Sequence, residues 1–270
     1  MTEDRPVRHI LSLSGGKDST ALAIYMKAKG EVPDMEYVFC DTGEELPETY
    51  EYLDRLEVVL GKPIVRLNPD RPFKHYLDVY RGVLPDANTR WFTRMLKIKP
   101  FERFIEDGPV ISYVGIRADE ESRRGYVSTK PNITVRYPFI EDTLFQEDIL
   151  RLLHDSGQGL PTYYNWRSRS GCYFCFFQQL NEWVGLLEHH PDLFEKASAF
   201  EKIDQATGEP FTWNAGESLE ELRRPARIDQ IKATRPHKPL VFSEAGKGSR
   251  DSVTEVLADD DPGGCLICHL

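Results

Sequence analysis

Residues 9–20 read HILSLSGGKDST, an apolar run that passes through two glycines into a charged and polar stretch. Residues 9–14 predict a buried strand, and residues 20–29 (TALAIYMKAK) predict a helix that ends at Gly30. A glycine-rich turn between a strand and a helix lets the backbone approach an anion, and the helix offers that anion free N–H groups and the positive end of its dipole. The stretch therefore predicts a phosphate-binding loop at residues 14–19.

The side chains of this loop carry the chemistry that a phosphate ligand needs. Two serine hydroxyls can donate hydrogen bonds, Lys17 adds a positive charge, and Asp18 offers the oxygen ligands that Mg²⁺ prefers. The glycine spacing matches neither the Walker A loop nor the Gly-x-Gly-x-x-Gly fingerprint. We expect a solvent-facing loop in which Lys17 and Asp18 are catalytic. The expected phosphate-binding residues are Ser14, Gly15, Gly16, Lys17, Asp18 and Ser19.

Strand and helix patterns alternate over the first half of the chain. Further strands are predicted at residues 36–40, 63–67 and 110–116. Helices are predicted at residues 47–60, with Gly61 after the helix end, and at residues 99–106. Such alternation indicates an α/β fold with a doubly wound parallel sheet, whose ligands lie beyond the carboxyl ends of the strands. Residues 14–19, 41–43 and 115–122 follow strand ends and are expected to converge there.

The pattern changes from about residue 139, and the remainder of the chain is mostly helical. The predicted helices span residues 147–154, 178–202 and 219–234, and Pro191 is expected to break the second of them. We therefore expect a nucleotide-binding domain over residues 1–138 and a helical, cysteine-containing C-terminal region over residues 139–270.

The chain has 270 residues and a net charge of −10, which is unusual for a simple, non-specific nucleic-acid binder. A local basic groove or a basic partner is compatible with that charge. No stretch approaches the roughly 20 apolar residues of a membrane span, and the first residues are polar, so we expect a cytoplasmic protein without a membrane partner. Residues 163–169 (YYNWRSR) interleave aromatic and basic side chains, which could stack bases and contact phosphates or could form a packed loop.

Four of the five cysteines form two Cys-x-x-Cys pairs, Cys172/Cys175 and Cys265/Cys268. In a chain without a secretion signal, this pattern favours metal or redox chemistry over structural disulfides. Two such pairs together can complete the ligation of Zn²⁺ or of an iron–sulfur cluster, whereas a redox dithiol would need no metal. The fifth cysteine, Cys40, ends a predicted buried strand and is expected to be an inert core thiol.

The segment SGGKDS at residues 14–19 resembles the PP-loop of the adenine-nucleotide α-hydrolase superfamily, and three later segments narrow the match. DTGEELPET at residues 41–49, RWFTRMLKIKP at residues 90–100 and GIRADEESRR at residues 115–124 resemble segments of phosphoadenylylsulfate (PAPS) reductase relatives. The resemblance covers roughly residues 9–185. Two departures disfavour a true PAPS reductase: Phe92 stands where many relatives have a cysteine, and the reductase tail Glu-Cys-Gly-Leu-His is absent.

This resemblance implies a Rossmann-like sheet of the PP-loop (HUP) type and an enzyme that binds ATP with Mg²⁺ and cleaves it between the α and β phosphates. It implies that Asp41, Thr42 and Gly43 bind the nucleotide near its adenine or ribose. Lys97 and Arg117 would face phosphates, and Arg117 would also be catalytic. Related enzymes often carry a cluster in the C-terminal region, among them the sulfur-inserting enzymes of the Dnd and Ssp DNA phosphorothioation systems. The resemblance therefore favours a [4Fe–4S] cluster at the four paired cysteines, with Zn²⁺ as the alternative.

Three functions are consistent with these features. The first is an ATP pyrophosphatase that activates an acceptor oxygen by adenylylation for sulfur insertion, with a nucleic-acid acceptor, most specifically a DNA backbone phosphate, engaged either directly or through a complex. Its sulfur would come from a cysteine desulfurase or another sulfur-donor protein. The second is a sulfonucleotide reductase that uses Cys265 or Cys268 as its nucleophile. The third is a nucleotide-sensing subunit of a defence complex, which would need only binding.

Overall fold

The computed structural model describes residues 5–120, 130–203, 210–237 and 239–240. The strands are β1 (Arg8–Leu13), β2 (Glu36–Cys40), β3 (Ile64–Leu67), β4 (Val110–Tyr113), β5 (Ile133–Arg136), β6 (Lys202–Ile203) and β7 (Pro210–Phe211). The helices of the first half are α1 (Lys17–Lys29), α2 (Pro47–Leu60), α3 (Phe73–Val79), α4 (Trp91–Thr93) and α5 (Lys99–Ile105), with a π-helical turn at Arg94–Ile98 between the last two. The second half contains α6 (Pro138–Glu141), α7 (Gln146–Asp155), a 3₁₀ turn (Thr162–Asn165), α8 (Leu180–His189), α9 (Pro191–Ser198), α10 (Leu219–Leu222) and α11 (Pro225–Thr234).

Five strands form a parallel sheet in the order β3-β2-β1-β4-β5, which confirms the predicted doubly wound α/β fold. Strand β5 was not predicted, because it lies at the sheet edge and four residues with only two apolar side chains are too short a pattern to identify a strand. Strand β4 ends at Tyr113, three residues before the predicted end. The chain turns there, and the Ile116 N–H donates to the Val114 carbonyl.

The two faces of the sheet are covered by different helices, as side-chain alternation along β1 requires. Leu11 and Leu13 point into a core shared with α1, α2 and α7. Ile10, from the same strand, points into the opposite core against α5. The predicted helix ends are confirmed, since α1 stops at Gly30 and α2 stops at Gly61.

The C-terminal region packs around its own aromatic core, which also receives residues from the first half of the chain. The Phe73 ring lies 4.3 Å from that of Phe174, which in turn stacks on Trp213 at 5.0 Å. Pro191 breaks the predicted helix of residues 178–202, as expected. Pro225 likewise divides the predicted helix of residues 219–234, because proline has no N–H to continue a helix and favours a first turn.

A membrane-spanning helix is absent from the part of the chain that the structure describes, since none of its helices is sufficiently long and apolar.

Helix α1 is the element that carries the phosphate loop onto the sheet, so its core contacts are open to a direct test. Leu22→Ala should lower the free energy of unfolding by about 2–5 kcal/mol, because this fully buried side chain leaves a cavity between α1 and the sheet. Val58→Ala, at a position 83% exposed on α2, should change it by less than about 0.5 kcal/mol. Urea denaturation of both variants measures the difference, and equal losses would contradict this assignment of the core.

Candidate functional site

The candidate site lies where the direction of strand progression reverses. Strand β1 pairs with β2 on one side and with β4 on the other, so the crevice between the loops after β1 and β4 is the switch point at which parallel α/β sheets bind ligands. The two loops touch: a Cβ at Gly115 would lie 3.0 Å from the Asp18 carbonyl oxygen. The absence of a side chain at Gly115 thus brings the loop after β4 against the phosphate loop.

Hydroxyl groups line the phosphate loop. The Ser14 and Ser19 Oγ atoms are 3.1 Å apart, and the Ser19 hydroxyl accepts from the Ser14 N–H at 3.1 Å. Gly15 has φ +73°, and a Cβ there would lie 2.6 Å from the Thr49 side chain of α2. The loop backbone therefore requires glycine at this position and is held tightly against the start of α2.

A buried chain of charges crosses the crevice. Lys17 Nζ donates to Asp18 Oδ2 at 2.7 Å, and Arg117 Nη1 donates to Asp18 Oδ1 at 3.1 Å. Arg117 also donates through Nε to Asp119 Oδ1 at 2.9 Å, and its Nη2 lies 3.7 Å from Glu120 Oε1. Burial alone would lower the pKa of Arg117, but the carboxylates of Asp18, Glu120 and Asp119 raise it above its ordinary value. The guanidinium therefore stays charged, and Arg117 joins the loops after β1 and β4.

The expectation of a solvent-facing loop is wrong. Lys17 is 9% exposed and Asp18 is 8% exposed, because a segment of the C-terminal region covers the loop. The Tyr163 hydroxyl donates to the Gly15 carbonyl at 2.7 Å, and the Lys17 N–H donates to the Tyr164 hydroxyl at 3.2 Å. Ser170 Oγ reaches Ser14 Oγ at 3.2 Å. The sequence analysis did not predict these three contacts with the loop, because the partners lie 147 to 156 positions apart in the chain.

Burial decides between base stacking and a packed loop for residues 163–169. Tyr163, Tyr164, Trp166 and Arg167 are all buried, so these four side chains form a packed loop and do not present faces for base stacking. Arg167 donates to the carbonyls of Gly171 and Cys172 at 3.2 and 2.9 Å, which holds the chain just before the first Cys-x-x-Cys pair.

The segment after β2 connects the phosphate loop to the cysteines. Asp41 Oδ1 accepts from the Gly43 N–H at 3.0 Å and from the Tyr50 hydroxyl at 2.8 Å, which shapes the turn. Gly43 is exposed, whereas Thr42 is buried and turned toward Cys172, with its Oγ1 3.5 Å from the sulfur. Asp41 and Gly43 thus lie at the surface of the segment after β2, and Thr42 lies beneath that surface. Their predicted contact with adenine or ribose stays a prediction.

A buried carboxylate meets the first cysteine. Glu45 Oε1 accepts from the Cys172 thiol at 3.3 Å and from Thr42 Oγ1 at 3.0 Å, while Glu45 Oε2 has no hydrogen-bond partner among the described residues. Burial raises the pKa of Cys172 well above its usual range, and Glu45 adds to this effect, whereas Lys97 opposes it. These surroundings favour the neutral form of the Cys172 thiol. Sequence reasoning did not single out Glu45, because no local pattern signals this pairing.

Lys97 and Cys175 lie on the walls of one small cavity with Cys172. The cavity measures ≈ 20 Å³, room for about one water molecule, and Phe92 also lines it. Lys97 is buried within the π-helical turn, a distortion that is frequent at functional sites. The structure thus brings Lys97 to the cysteine pair, and its predicted contact with phosphates stays a prediction.

The two described cysteines of the quartet form half of the predicted metal site. The Cys175 N–H donates to the Cys172 carbonyl at 3.0 Å, so the pair is joined by a tight turn. Cys265 and Cys268 lie outside the described residues. Among the residues that are described, no group of three or more histidines, cysteines or carboxylates could hold a metal ion. The described residues alone therefore do not form a metal centre.

Cys40, the fifth cysteine, is buried at the end of β2, and its thiol donates to the Lys97 carbonyl at 3.6 Å. Burial raises its pKa to about 12, as expected of an inert core thiol.

Comparison with known proteins finds a family match for the first half of the chain. Residues 8–135 match the family model described as the phosphoadenosine phosphosulfate reductase domain. The match includes the phosphate loop, Arg117 and the segment after β2. It supports the resemblance of this part of the chain to the PAPS reductase-like branch of the PP-loop superfamily, and it ends before Tyr163 and the cysteine pair.

Individual relatives match this chain over limited lengths. An uncharacterized protein of Methanocaldococcus jannaschii is 30% identical over 200 residues, covering 69% of this chain and 40% of that protein. The adenosine 5'-phosphosulfate reductase of Staphylococcus haemolyticus is 31% identical over 94 residues, covering 34% of this chain and 38% of that enzyme. The chain thus spans well under two thirds of either relative. The crystal structure of PAPS reductase from Candida auris in a phosphate complex aligns with a TM-score of 0.48 at 12% identity, covering 63% of this chain and 82% of that one.

The charge chain across the crevice can be tested without a ligand. Arg117→Met should lower the free energy of unfolding by about 3–5 kcal/mol, because it leaves the Asp18 and Glu120 carboxylates buried without their guanidinium partner. Urea denaturation at neutral pH measures this loss.

Arg103→Met is the matched control, since Arg103 forms an exposed ion pair with Asp70 that should be worth at most about 1 kcal/mol. If the two variants lost the same stability, Arg117 would not join the two loops as described.

Proposed function

We propose that this protein is a PP-loop ATP pyrophosphatase that adenylylates an acceptor oxygen so that sulfur can replace it. The observation that carries the proposal is the buried Lys17–Asp18–Arg117 charge chain at the end of β1, beside a hydroxyl-lined loop and the N-terminus of α1. A strand, a phosphate loop and a helix in this order are built to hold a polyphosphate.

The phosphates of bound ATP would replace Asp18 as the anionic partner of Lys17 and Arg117. In this structure both carboxylate oxygens of Asp18 are engaged, one by Lys17 and one by Arg117. Arrival of phosphate oxygens gives Lys17 and Arg117 stronger anionic partners and frees Asp18 to hold Mg²⁺. When bound, Mg²⁺ would supply charge neutralisation on the leaving pyrophosphate.

The proposed reaction is an in-line displacement. An acceptor oxygen forms a bond to the α-phosphorus of ATP, and the bond from that phosphorus to the bridging β-phosphate oxygen breaks, so pyrophosphate leaves with the electron pair. Lys17, Arg117 and the loop N–H groups stabilise the charge that develops on the phosphate oxygens. A sulfur nucleophile then displaces AMP from the acceptor. A phosphate oxyanion is already nucleophilic, so an oxyanion acceptor would need no general base.

The acceptor and the sulfur source are the finer part of the proposal. The combination of a PP-loop with a cysteine quartet in the C-terminal region resembles the sulfur-inserting enzymes of the Dnd and Ssp systems. This resemblance favours a DNA backbone phosphate as acceptor and a cysteine desulfurase or other sulfur-donor protein as partner. Because the net charge is −10 and residues 163–167 are largely buried, base stacking at that loop does not supply nucleic-acid binding. A DNA acceptor would therefore be bound by another surface or through a complex.

A sulfonucleotide reductase is the second candidate, favoured by the family match over residues 8–135 and by the relative from Staphylococcus haemolyticus. The same crevice would then hold the phosphates of the sulfonucleotide. The two candidates differ in what happens to the substrate: the first breaks an α–β phosphate bond, and the second releases sulfite by thiol attack.

Product analysis under anaerobic conditions separates the two candidates. Incubation with Mg-ATP alone should yield AMP and pyrophosphate, because water then attacks the α-phosphorus in place of the acceptor oxygen. Incubation with phosphoadenylylsulfate plus a thiol donor should yield no sulfite. Lys17→Met should weaken Mg-ATP binding at least about tenfold, because a charge-assisted contact to phosphate is lost. Calorimetric titration measures the affinity.

Lys27→Met, at the far end of the same helix, is the matched control and should bind Mg-ATP as the wild type does. Unchanged affinity in Lys17→Met would contradict the phosphate-loop assignment. Sulfite release with intact ATP would establish the reductase instead.

Metal content tests the predicted role of the cysteine quartet. We expect anaerobically purified protein to contain iron and sulfide, or zinc, and Cys172→Ser to lose it, because a hydroxyl replaces one thiolate ligand. Elemental analysis and the absorption spectrum measure both. Cys40→Ala should keep the metal, since Cys40 is a core thiol at the end of β2. Equal metal in all three proteins would show that Cys172 is not a ligand.

A further inference from the structure

The two tyrosines that cover the phosphate loop differ in what their hydroxyl groups do. They are neighbours in the 3₁₀ turn, and their rings stack with centroids 5.0 Å apart. Tyr163 is fully buried, and its hydroxyl hydrogen goes to the Gly15 carbonyl at 2.7 Å. Its donor is thus satisfied, and its role is to anchor the turn on the loop.

The hydroxyl of Tyr164 is used only as an acceptor. It receives the Lys17 N–H at 3.2 Å, at the first turn of α1, and its own hydrogen meets no acceptor in the parts of the chain that the structure describes. Tyr164 is only 5% exposed, so bulk water does not readily replace that acceptor. A buried hydroxyl donor without an acceptor is unfavourable, and such a group indicates a missing partner.

The surroundings of this hydroxyl identify the kind of partner. Burial raises the pKa of Tyr164, and the nearby negative charge of Asp18 raises it further, so the hydroxyl keeps its hydrogen near neutral pH. On its acceptor side lies the positive end of the α1 dipole. The positive charges of Arg117 and Arg167 also act on the hydroxyl, and a donor at a helix N-terminus near such charges is suited to an oxyanion.

We propose that Tyr164 is a phosphate-binding residue: its hydroxyl donates to a phosphate oxygen of the bound nucleotide while it accepts from the Lys17 N–H. This inference rests on the proposed binding of a nucleotide at the loop. The hydroxyl then connects the Lys17 N–H to the phosphate oxygen through two consecutive hydrogen bonds, and consecutive hydrogen bonds of this kind strengthen one another. Phosphate recognition therefore includes a residue outside the matched family domain, which ends at residue 135.

Calorimetric titration of the full chain with three probes tests the proposal: Mg-ATP, inorganic pyrophosphate and adenosine. Tyr164→Phe removes only the hydroxyl and keeps the ring stacked on Tyr163. It should bind Mg-ATP and pyrophosphate about tenfold more weakly than the wild type, because one hydrogen bond to a charged oxygen is lost. Its affinity for adenosine, which has no phosphate, should be unchanged. A purely structural role would weaken all three ligands together.

Tyr113→Phe is the matched control. Tyr113 is also buried, and its hydroxyl pairs with His9 Nδ1 at 2.8 Å, away from the phosphate loop, so this variant should bind all three probes normally. Circular dichroism establishes that both variants are folded. If Tyr164→Phe binds Mg-ATP as tightly as the wild type, or more tightly, the proposal is overturned while nucleotide binding stands. If the wild type itself binds neither Mg-ATP nor pyrophosphate, the proposed function is contradicted, and the role of Tyr164 is contradicted with it.

Discussion

The ion pair between Asp18 and Arg117 is the contact on which the arrangement of the site depends. It joins the first turn of α1 to the loop after β4, two segments that are 99 residues apart in the chain and meet only because β1 and β4 are neighbours in the sheet. Both partners are buried, so either charge alone would be strongly unfavourable there. The crevice therefore has a defined width before any ligand arrives. The cations that would hold phosphate are kept in place by carboxylates instead of by solvent.

The region after residue 138 is part of this site and not an appendage to it. One short segment anchors on the phosphate loop through Tyr163 and Ser170, and two residues later Cys172 pairs with Glu45. If a ligand at the loop displaced this segment, the contact between the Cys172 thiol and Glu45 would change as well. By the reciprocity of linked equilibria, a change at the thiol would affect the loop by the same free energy.

The sequence was informative wherever a function needs neighbouring residues. The glycine turn between β1 and α1, the ends of α1 and α2 at Gly30 and Gly61, and the break at Pro191 each follow from local chemistry. The parallel sheet follows from the alternation of strands and helices. The covering of the loop could not be found in this way. The contact of Tyr164 with Lys17 spans 147 positions, and that of Cys172 with Glu45 spans 127. Such pairs are set by tertiary packing, and neither partner carries a local pattern that names the other.

The distance along the chain between the loop and its cover has a consequence for synthesis. Gly15 leaves the ribosome 148 residues before Tyr163 does, which at about 5–20 residues per second is an interval of about 7–30 s. During that time the sheet can begin to form, but the glycine turn, the buried lysine and the aspartate stay open to water and to other molecules. The nascent protein thus passes through a stage in which this loop has been synthesised and the tyrosine that covers it has not.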